Sequence, residues 1–426
     1  MKIKSKGIKL FSAVLSTAAL LIITALCASV SAAEGGVPIN STTFPDERFR
    51  EYVLQNADSN NDGYLSEKEL KRKIIIQLPA FAESAKGIEY FTELKTLVCE
   101  GTNLTSLDVS RNTKLERLRC GGNELTDLDV SKNTALKLLY CERNKLTSLN
   151  VSNNKALTDL WCSSNQLTFL DVNSNSSLAA LKCNGNKLSA LDVRYTAMQT
   201  LSCEYNELTS LYVNGCSELK VLRCSVNRLP ALNIRDCPLL EELRCFNNEI
   251  TELDVSVNTA LRTLYCDCNM LTSIDAGMCS QLTKYDLGVS RCEYSVVCPS
   301  GKLDLSKLPG HFDISKASNW KGGTVNGKIL TFNNGSGTVT YDYDCGMGYI
   351  EKFKIINIPS ASTGGDLNGD KKTTVSDIIV LKRVIAAGDP SKVSGCVVSA
   401  ADVNKDNKYT VADIIALKKL IAGANT

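Results

Sequence analysis

The 426-residue sequence predicts a multidomain, mainly β protein built around a solenoid of 21-residue coils. Three observations lead to this prediction. A cysteine recurs every 21 residues through the middle of the chain, a D-x-N-x-D motif occurs twice near the C-terminus, and short alternating apolar runs broken by glycine lie between these regions. A fixed short period is typical of stacked repeats, alternation predicts strands, and oxygen-rich loops predict metal binding.

The repeated phrase reads L-x-x-L-x-C-x-x-N-x-L-T-x-L-D-V-S-x-N-x-x, with one step of 20 residues between Cys183 and Cys203. It resembles the leucine-rich repeat, with cysteine in place of one buried leucine. A single coil cannot bury its apolar face, whereas stacked coils bury a continuous core. We therefore expect a leucine-rich-repeat solenoid over residues 79–285. Each coil should contribute one parallel strand, L-x-C, and should leave little room for a helix on its other side.

The recurring cysteines are interpreted as small apolar side chains that fill a narrow interior. A disulfide ladder is disfavoured, because in-register side chains of neighbouring strands stack in parallel and do not point at one another. One cysteine per coil is also not a chelating spacing such as C-x-x-C. The recurring asparagines are expected to satisfy backbone groups where the coil turns, because an amide both donates and accepts.

The middle residue of each L-x-C strand is expected to point away from the core and to line the inner curve of the solenoid, since side chains alternate along a strand. This places four side chains side by side, at about 4.8 Å per coil, and we predict that they bind a ligand: Arg119, Tyr140, Trp161 and Lys182. Aromatic residues flanked by cations are typical of recognition surfaces for proteins or glycans. Protein is favoured, because the resembling repeats mostly mediate protein contacts; a merely solvated sheet face is the alternative.

The N-terminus has the layout of a secretory signal peptide over residues 1–33: four lysines precede an apolar run that ends in A-S-V-S-A-A. A membrane anchor is the alternative, disfavoured by the interrupting serine and threonine residues. No other apolar stretch approaches the roughly 20 residues that span a bilayer. We expect a secreted protein without a membrane span, located outside the cell or on its surface.

Residues 34–78 are predicted to form an N-terminal cap with an EF-hand-like calcium loop. The stretch D-S-N-N-D-G-Y-L-S-E-K-E, residues 58–69, has an oxygen donor at each ligand position and glycine at the sharp turn. The alternative is an acidic loop without metal. The predicted ligands of one calcium ion are Asp58, Asn60, Asp62, Tyr64 through its carbonyl, Ser66 and Glu69.

The two D-x-N-x-D copies begin at Asp366 and Asp402, and an amphipathic segment follows each. Together they resemble a type I dockerin, an α-helical module with paired EF-hand-like calcium loops that attaches proteins to the cohesins of a cellulosomal scaffoldin. The resemblance covers residues 366–426 and implies two calcium ions. The implied ligands are Asp366, Asn368, Asp370, Lys372 through its carbonyl, Thr374 and Asp377, then Asp402, Asn404, Asp406, Lys408 through its carbonyl, Thr410 and Asp413.

The resemblance also implies a cohesin-binding surface, duplicated between the two copies: Val375, Ser376, Lys382 and Arg383, then Val411, Ala412, Lys418 and Lys419. Because the two sets are nearly equivalent, we expect binding to cohesin in two orientations related by a half-turn. Loop position 6, usually glycine, is Lys371 in the first copy and Asn407 in the second. Asparagine tolerates the left-handed conformation better than lysine, so the first site should bind calcium more weakly.

Residues 286–358 are predicted to form a small β module, because N-G, N-N-G-S-G and C-G-M-G interrupt alternating runs and are hairpin signals. It should cap the end of the solenoid. Residues 359–365 read as a flexible linker.

The single histidine argues against Ser-His-Asp or Cys-His catalysis and against histidine-based zinc sites. A glycosidase needs only two carboxylates, so that class stays open. Five of the remaining aspartates recur in the phrase L-D-V, which favours a structural role for them. We expect a monomeric, non-catalytic adaptor of the cellulosome, with an enzyme of polysaccharide breakdown as the alternative. A net charge of +2 gives no basic surface for nucleic acid.

Overall fold

The computed structural model describes most of the chain from residue 36 to residue 358 and parts of the C-terminal region. The described residues are 36–194, 196–288, 294–298, 300–333, 337–358, 367–368, 375–388, 393, 396, 401, 403, 408–410, 413–415 and 417–418. The predicted signal peptide and linker lie outside them. The chain divides into two units, residues 1–206 and residues 207–426, and each is described by itself.

The first unit begins with a small α/β cap. Strand β1 (Val37–Pro38) pairs antiparallel with β2 (Tyr64–Leu65), and the helices are α1 (Glu47–Asn56) and α2 (Glu67–Arg72). The carboxylate of Asp46 accepts a hydrogen bond from the Phe49 N–H at 2.8 Å, so Asp46 caps the helix and does not belong to its first turn. Phe49 and Val53 lie on one face of α1 and are fully buried.

Seven parallel strands form the sheet of the first unit, one from the cap and one from each coil. They are β3 (Ile75–Gln77), β4 (Thr96–Val98), β5 (Arg117–Arg119), β6 (Leu138–Tyr140), β7 (Asp159–Trp161), β8 (Ala180–Lys182) and β10 (Thr200–Ser202). The strands start one residue earlier than the predicted L-x-C. The cysteine that follows continues the pairing, as when the Cys99 N–H bonds to the Arg119 carbonyl at 2.7 Å.

The far side of each coil is made of turns and short extended segments, as the 21-residue length predicts. A 3₁₀ turn (Ile88–Tyr90) precedes the first coil, and β9 (Ala190–Asp192) is an extended segment on that side. Among the described residues between 91 and 304 there is no helix. The L-D-V aspartates close these turns, since Asp129 accepts a hydrogen bond from the Ser131 N–H at 2.8 Å.

The second unit continues the same coil design. Its strands are β11 (Ser210–Tyr212), β12 (Val221–Arg223), β13 (Glu242–Arg244), β14 (Thr263–Tyr265) and β15 (Lys284–Asp286). Strands β12 to β15 pair in parallel without a shift of register, so that Leu222, Leu243 and Leu264 fall opposite one another. These leucines are fully buried.

One row of asparagines ties each coil to the previous one. The Asn144 Nδ2 donates to the carbonyls of Cys120 and Cys141, at 3.0 and 3.1 Å, and its Oδ1 accepts from the Leu125 N–H at 3.0 Å. The same three contacts recur at Asn123, Asn165, Asn186, Asn206, Asn248 and Asn269. Each amide satisfies buried backbone groups on two coils, which confirms the role predicted for this row.

A second asparagine row uses only its donors. The Asn133 Nδ2 bonds to the carbonyls of Val109 and Asn112 at 2.9 Å, while its Oδ1 is buried without a hydrogen-bond partner. Asn112, Asn154, Asn175 and Asn258 repeat this arrangement. Cysteine replaces asparagine in this row at positions 216, 237 and 279, and the Cys237 Sγ still approaches the Val213 carbonyl, at 3.7 Å. A weak thiol donor therefore suffices where the amide oxygen has no partner.

The coil cysteines are packed in the core. Fourteen of the sixteen described cysteines are buried, and Cys268 and Cys298 are half-buried. Burial raises the pKa of Cys183 to about 12 and that of Cys279 to about 11. Packing as small apolar side chains, and not disulfide formation, thus accounts for their recurrence among the described residues.

The β module consists of two small sheets in the second unit. One contains β16 (Tyr294–Val296), β18 (Ala317–Lys321), β21 (Gly337–Asp344) and β22 (Ile350–Asn357), and the other contains β17 (Lys302–Asp304), β19 (Gly323–Asn326) and β20 (Ile329–Phe332). The predicted N-G and C-G-M-G turns join β19 to β20 and β21 to β22. The buried Tyr341 hydroxyl donates to the Thr272 carbonyl at 2.6 Å, so the module packs on the last coils.

The described C-terminal residues include helix α3 (Val375–Ala387) and helical residues at 413–415 and 417–418. Their apolar side chains form a small core of their own: Leu367, Leu381, Val384, Cys396, Ala401 and Leu417. Equivalent positions of the two sequence copies, Leu381 and Leu417, are both fully buried in it.

Candidate functional site

The four side chains predicted as a ligand-binding surface lie in one row on the sheet of the first unit. The register pairs Arg119 with Tyr140, Tyr140 with Trp161, and Trp161 with Lys182. Each is the last residue of its strand and follows a fully buried leucine, so it points to the opposite side from the core. We call this row, Arg119–Tyr140–Trp161–Lys182, the aromatic row.

The two rings of the aromatic row stack on each other. The ring centroids of Tyr140 and Trp161 are 3.9 Å apart, and the ring planes differ by 8°. The Lys182 Nζ lies 3.5 Å from the indole centroid, and the Arg119 guanidinium lies 5.6 Å from the Tyr140 centroid. Strand order puts each cation on the outer side of the pair, so Trp161 is covered on both faces, while Arg119 lies further from the outer face of Tyr140.

Charged neighbours surround the aromatic row. Arg119 forms an ion pair with Glu100 at 2.8 Å. Burial, and next the nearby Asp159 carboxylate, raise the pKa of Tyr140. Glu142 packs over Gly121, where a Cβ atom would lie 2.9 Å from the Glu142 carboxyl carbon. A larger residue at position 121 would therefore displace the end of the Glu142 side chain and crowd the Glu142 carbonyl, which would lie 3.1 Å from the added Cβ.

Two buried polar atoms beside the stack have no hydrogen-bond partner among the described residues. They are the indole Nε1 of Trp161 and one carboxylate oxygen, Oε2, of Glu142. An unpaired buried polar atom costs about 1–3 kcal/mol. The aromatic row thus contains one unpaired indole N–H, and an unpaired carboxylate oxygen lies beside it.

A second row of charged and aromatic side chains, which the sequence did not predict as a site, lies on the sheet of the second unit. Glu242 bonds to Arg223 at 2.8 Å and also pairs with Arg244, and the Arg244 guanidinium lies 5.2 Å from the Tyr265 ring centroid. Hydrogen bonding from Arg223 lowers the pKa of Glu242 despite its partial burial. Glu242 could have been found from the sequence, because the residue directly before a strand leucine faces the same side of the sheet as the residue directly after it.

The N-terminal loop folds around its own carboxylates. Asp58 is 5% exposed, and its two oxygens accept from the Gly63 N–H at 2.9 Å and the Asp62 N–H at 3.3 Å. Gly63 has a φ of +79°, the left-handed turn expected at this loop position. Ser66 and Glu69 form a capping box at the start of α2. Burial by itself would raise the pKa of Glu69, but hydrogen bonds from Ser66 and Ser59 lower it to about 2.

The donors of this loop suit calcium in kind, since all six are oxygens and Asp58 and Glu69 are buried carboxylates. Each Asp58 oxygen accepts one hydrogen bond and keeps a second lone pair. Each Glu69 oxygen accepts two, from Ser59 or from Ser66, so an ion there would have to displace some of these bonds. Asp62 accepts from the Tyr64 N–H at 2.8 Å and Asn60 bonds to Asp62 at 2.9 Å, so the remaining predicted ligands are engaged within the loop. In the part of the chain that the structure describes, no three His, Cys, Asp or Glu side chains converge on a metal position.

Five of the predicted dockerin ligands are among the described residues: Asn368, Lys408, Thr410, Asp377 and Asp413. Asp377 and Asp413, at loop position 12 of the two copies, are fully buried. Asp377 accepts from the N–H groups of Leu367 and Asn368 at 2.7 and 3.0 Å, and Asp413 accepts from the Thr410 N–H at 2.9 Å. Each carboxylate thus closes its own loop, and a cation is the natural counter-charge for it.

Of the predicted cohesin-binding residues, Ser376, Lys382, Arg383 and Lys418 are exposed, and Val375 begins α3. The other predicted residues of the dockerin lie outside the described residues: Asp366, Asp370, Lys372, Thr374, Asp402, Asn404, Asp406, Val411, Ala412 and Lys419.

Few carboxyl groups have the raised pKa that a general acid needs. Burial raises the pKa of Asp267 and of Glu351, and the charge of Asp286 adds to both shifts. Four of the L-D-V aspartates behave in the opposite way and have a lowered pKa: Asp108, Asp129, Asp192 and Asp254. At Asp129 a hydrogen bond from the Ser131 N–H lowers the pKa.

No helix in the described residues is long and apolar enough to cross a membrane.

Comparison with known proteins identifies the C-terminal region and leaves the whole chain without a curated relative. The family model of the dockerin type I domain matches residues 364–422. No curated protein matches the chain. Dockerin type I domains bind calcium and occur in secreted components of cellulosomes, where their partners are cohesins.

Several solved leucine-rich-repeat structures are similar to this chain. The functional domain of InlJ from Listeria monocytogenes, described as including a cysteine ladder, has 23% identity and a TM-score of 0.46, over 75% of this chain and 98% of that chain. A leucine-rich-repeat protein of Leptospira interrogans has 22% identity and a TM-score of 0.44, over 59% and 77%. An internalin, inlF of Listeria monocytogenes, has 21% identity and a TM-score of 0.33, over 59% and 98%.

The repeats therefore form a solenoid of the leucine-rich-repeat type, on the strength of their own strand register and buried leucines, and the chain carries a type I dockerin domain at its C-terminus.

Proposed function

We propose that this protein is a non-catalytic adaptor of a cellulosome. The dockerin docks to a scaffoldin cohesin in the presence of calcium, and the aromatic row of the solenoid binds a second protein. The observation that carries the proposal is the combination of a docking domain with a strand face that concentrates two stacked rings and two cations.

The ring geometry favours a protein over a glycan as the ligand. A sugar that stacks on an aromatic residue needs an open ring face. Tyr140 covers one face of Trp161 at 3.9 Å, and the Lys182 ammonium covers the other at 3.5 Å. The rings therefore offer edges, a hydroxyl group and flanking charges, which suit the mixed polar and apolar surface of a protein.

The unpaired polar atoms support the same choice. A peptide group offers a carbonyl to the Trp161 indole N–H and an N–H to the Glu142 carboxylate. Both atoms are buried in the free protein, so binding would have to shift the stack. Such a shift would satisfy two groups that the free protein leaves without hydrogen bonds.

A pull-down with the full mature chain tests this part of the proposal. Proteins captured from the culture medium of the source organism by the wild type should be lost with the Tyr140→Ala, Trp161→Ala double variant. Phe169→Ala is a matched control, since this ring is 70% exposed but lies on a turn segment away from the aromatic row. Equal capture by the wild type and the double variant would contradict the placement, and binding to a glycan array instead would contradict the choice of a protein.

We further propose three bound calcium ions, two in the dockerin and one in the N-terminal loop. The support for the third is the oxygen donor set, the left-handed Gly63 and the two buried carboxylates of that loop. The ion would be held by Asp58, Asn60, Asp62, Ser66, Glu69 and the Tyr64 carbonyl. It would supply positive charge to buried carboxylates at the first coil, and thus stability to the end of the stack.

An assay of the mature protein on a panel of plant polysaccharides tests the alternative that this chain is an enzyme. The adaptor proposal expects no release of sugar. Release by the wild type that is lost in Asp267→Asn or Glu351→Gln would replace the proposal, since these are the carboxyl groups whose raised pKa suits a general acid.

A further inference from the structure

Two open cavities lie side by side where the β module meets the turns of the last coils, within the second unit. Their volumes are about 510 and 290 Å³, and the larger falls in the size range of ligand pockets. Four residues line both cavities and form the wall between them: Glu252, Gly310, His311 and Asp313. We call the two cavities together the junction groove. Glu252 belongs to a turn segment and not to a strand, so the junction groove is separate from the strand face of the coils.

Hydrogen bonds from the solenoid hold the β-module segment that forms this wall. The Thr272 hydroxyl donates to the Pro309 carbonyl at 3.0 Å, and the Ser273 hydroxyl donates to the Gly310 carbonyl at 3.2 Å. Both hydroxyl residues are buried, whereas the equivalent Thr126 of an earlier coil is exposed. The segment is therefore fixed to the coil beneath it, and the groove is formed before any ligand binds.

The backbone turn at this wall determines which side chains reach the groove. Gly310 and His311 both adopt the left-handed conformation, with φ of +76° and +52°. The His311 imidazole is 94% exposed. Beyond the turn, the Asp313 N–H donates to the Tyr343 hydroxyl at 3.2 Å, which fixes the other end of the segment. The turn thus brings His311 and Asp313 into the wall shared by the two cavities.

Two of the four carboxylates that line the groove have cationic partners. Asp254 pairs with Arg235 at 2.8 Å, and Asp275 pairs with Lys316 at 2.7 Å. Both of these carboxylates line only the smaller cavity. Their charge is therefore compensated within the protein.

The carboxylates of the shared wall, Glu252 and Asp313, form no ion pair with a lysine or arginine among the described residues. The Glu252 carboxylate lies 3.8 Å from the His311 Nε2 and is half-exposed. Asp313 accepts from the Ser315 N–H at 2.9 Å and from the Ser315 hydroxyl at 2.7 Å. Lys328 lines only the larger cavity, away from the shared wall. Uncompensated negative charge is thus concentrated at the centre of the groove.

Apolar side chains lie on both sides of this charged centre. Leu305, Leu308, Phe312 and Ile314 line the larger cavity, and Ile274 and Met278 line the smaller one. Met278 is 62% exposed. A ligand that fits the groove therefore combines one positive group with apolar groups on either side of it.

We propose that the junction groove binds a basic segment of a partner protein, with an arginine side chain between Glu252 and Asp313 and apolar residues in the two cavities. This inference does not depend on the function proposed for the aromatic row or for the dockerin. A planar guanidinium offers five N–H donors and matches carboxylates better than an ammonium group does. Its apolar stem packs against the groove lining. A small cation without apolar neighbours would leave both cavities unfilled.

The experiment selects a displayed library of random heptapeptides on the immobilised full mature chain. Enriched peptides should share one arginine with apolar neighbours. Synthesised with capped ends, they should bind the Glu252→Gln, Asp313→Asn double variant at least about tenfold more weakly than the wild type in calorimetry. Both substitutions keep the side-chain shape and remove the charge, and asparagine still caps the short 3₁₀ turn (Ile314–Lys316) that follows. Glutamine in place of the peptide arginine should weaken binding by a similar factor.

Controls separate the possible outcomes. The Glu218→Gln, Glu241→Gln variant removes two exposed carboxylates of the same unit that do not line the groove, and it should leave the Kd unchanged. A library that yields no enriched peptide, or enriched peptides without a basic residue, would contradict the proposal. An unchanged Kd for the groove variant, with binding lost instead in Tyr140→Ala, Trp161→Ala, would place the peptides on the aromatic row and overturn the assignment. Arginine amide that binds as tightly as the peptides would make a small cation the ligand and overturn the choice of a protein segment.

Discussion

The indole ring of Trp161 lies 3.9 Å from the phenol ring of Tyr140 and parallel to it within 8°, although the two residues are 21 positions apart. The spacing of the repeat puts them on neighbouring strands in register. The rings and the two cations beside them form one stack on the sheet of the first unit.

We expect a measurable coupling between these two rings. Tyr140→Ala and Trp161→Ala in a double-mutant cycle should show a coupling free energy of about 0.5–1.5 kcal/mol in urea unfolding, because stacked aromatic pairs contribute about that much beyond their buried area. The same cycle with Tyr140→Ala and Phe169→Ala should be additive within about 0.5 kcal/mol. Full additivity in the first cycle would show that the stack adds nothing to folding.

The first asparagine row should be far more sensitive than exposed asparagines. Asn144→Ala removes two donated bonds and one accepted bond and strands three buried backbone groups, so we expect a loss of at least about 3 kcal/mol of unfolding free energy. Asn153→Ala is the matched control. That residue is exposed and makes one bond to the Ser131 carbonyl at 3.2 Å, so its loss should stay within about 0.5 kcal/mol.

Stability should fall in alkaline solution because of the buried thiols. Burial raises the pKa of the Cys183 thiol to about 12 in the folded state, whereas a thiol in water has a pKa of about 9. Between about pH 9 and pH 12 the folded protein therefore binds more protons than the unfolded chain. These thiols leave the unfolding free energy unchanged at lower pH and decrease it from about pH 9 upward. Each such thiol contributes up to about 1.4 kcal/mol per pH unit.

Urea unfolding at several pH values checks this. A Cys141→Ala, Cys162→Ala variant should be less stable at pH 7, because it contains cavities, yet its stability should fall less steeply above pH 9 than that of the wild type. Burial raises the pKa of both thiols. An identical slope would mean that other groups cause the alkaline loss.

Calorimetric titration of the metal-free mature protein should detect close to three calcium ions. Glu69→Gln should remove one of them and lower the melting temperature, since it weakens the closing ligand of the N-terminal loop. Asp377→Asn and Asp413→Asn should each remove one dockerin ion, with the first-copy ion being the weaker in the wild type, because Lys371 stands at the turn position. A stoichiometry of one ion or none would reject the three-site proposal.

Docking should tolerate the loss of the basic pair from one copy. Lys382→Ala with Arg383→Ala, or Lys418→Ala with Lys419→Ala, should leave cohesin binding nearly intact, because the other copy supplies the contacts. All four changes together should abolish binding. Complete loss from one pair alone would rule out two-way docking.

The sequence predicts the fold well, because the repeat determines both the length of each coil and the register between neighbouring strands. The 21-residue period determines which residues lie opposite one another, as it does for Leu118 and Leu139. Glycine-containing turns predict the hairpins of the β module. Side-chain directions along a strand then place the aromatic row. The dockerin is predicted equally well, because its two sequence copies repeat both the calcium-loop motif and the amphipathic segment that follows it.

What the sequence does not yield depends on side-chain conformation and burial. The same strand positions would also allow both rings to point apart into solvent. The observed rotamers of Tyr140 and Trp161 instead stack the rings, and with Lys182 they cover both faces of Trp161. Glu242 precedes its strand leucine and pairs with two arginines that follow strand leucines, Arg223 on the neighbouring coil and Arg244 on its own coil. Which of these charged side chains meet depends on their conformations. Periodicity also cannot say which of Ile378 and Ile379 is exposed, because that depends on packing within the small C-terminal core, which covers Ile378 and leaves Ile379 exposed.

The asparagine bonds also bear on how such a protein changes over generations. Asn165 contacts carbonyls of its own coil and of the coil before it, and accepts from that earlier coil, through Cys162, Cys141 and Leu146. Since every coil offers its neighbour the same groups, an in-frame loss or duplication of one unit rejoins identical partners. The array is therefore free to lengthen or shorten by recombination between its own repeats, and each event adds or deletes one side chain of the exposed row while the interior is left as it was.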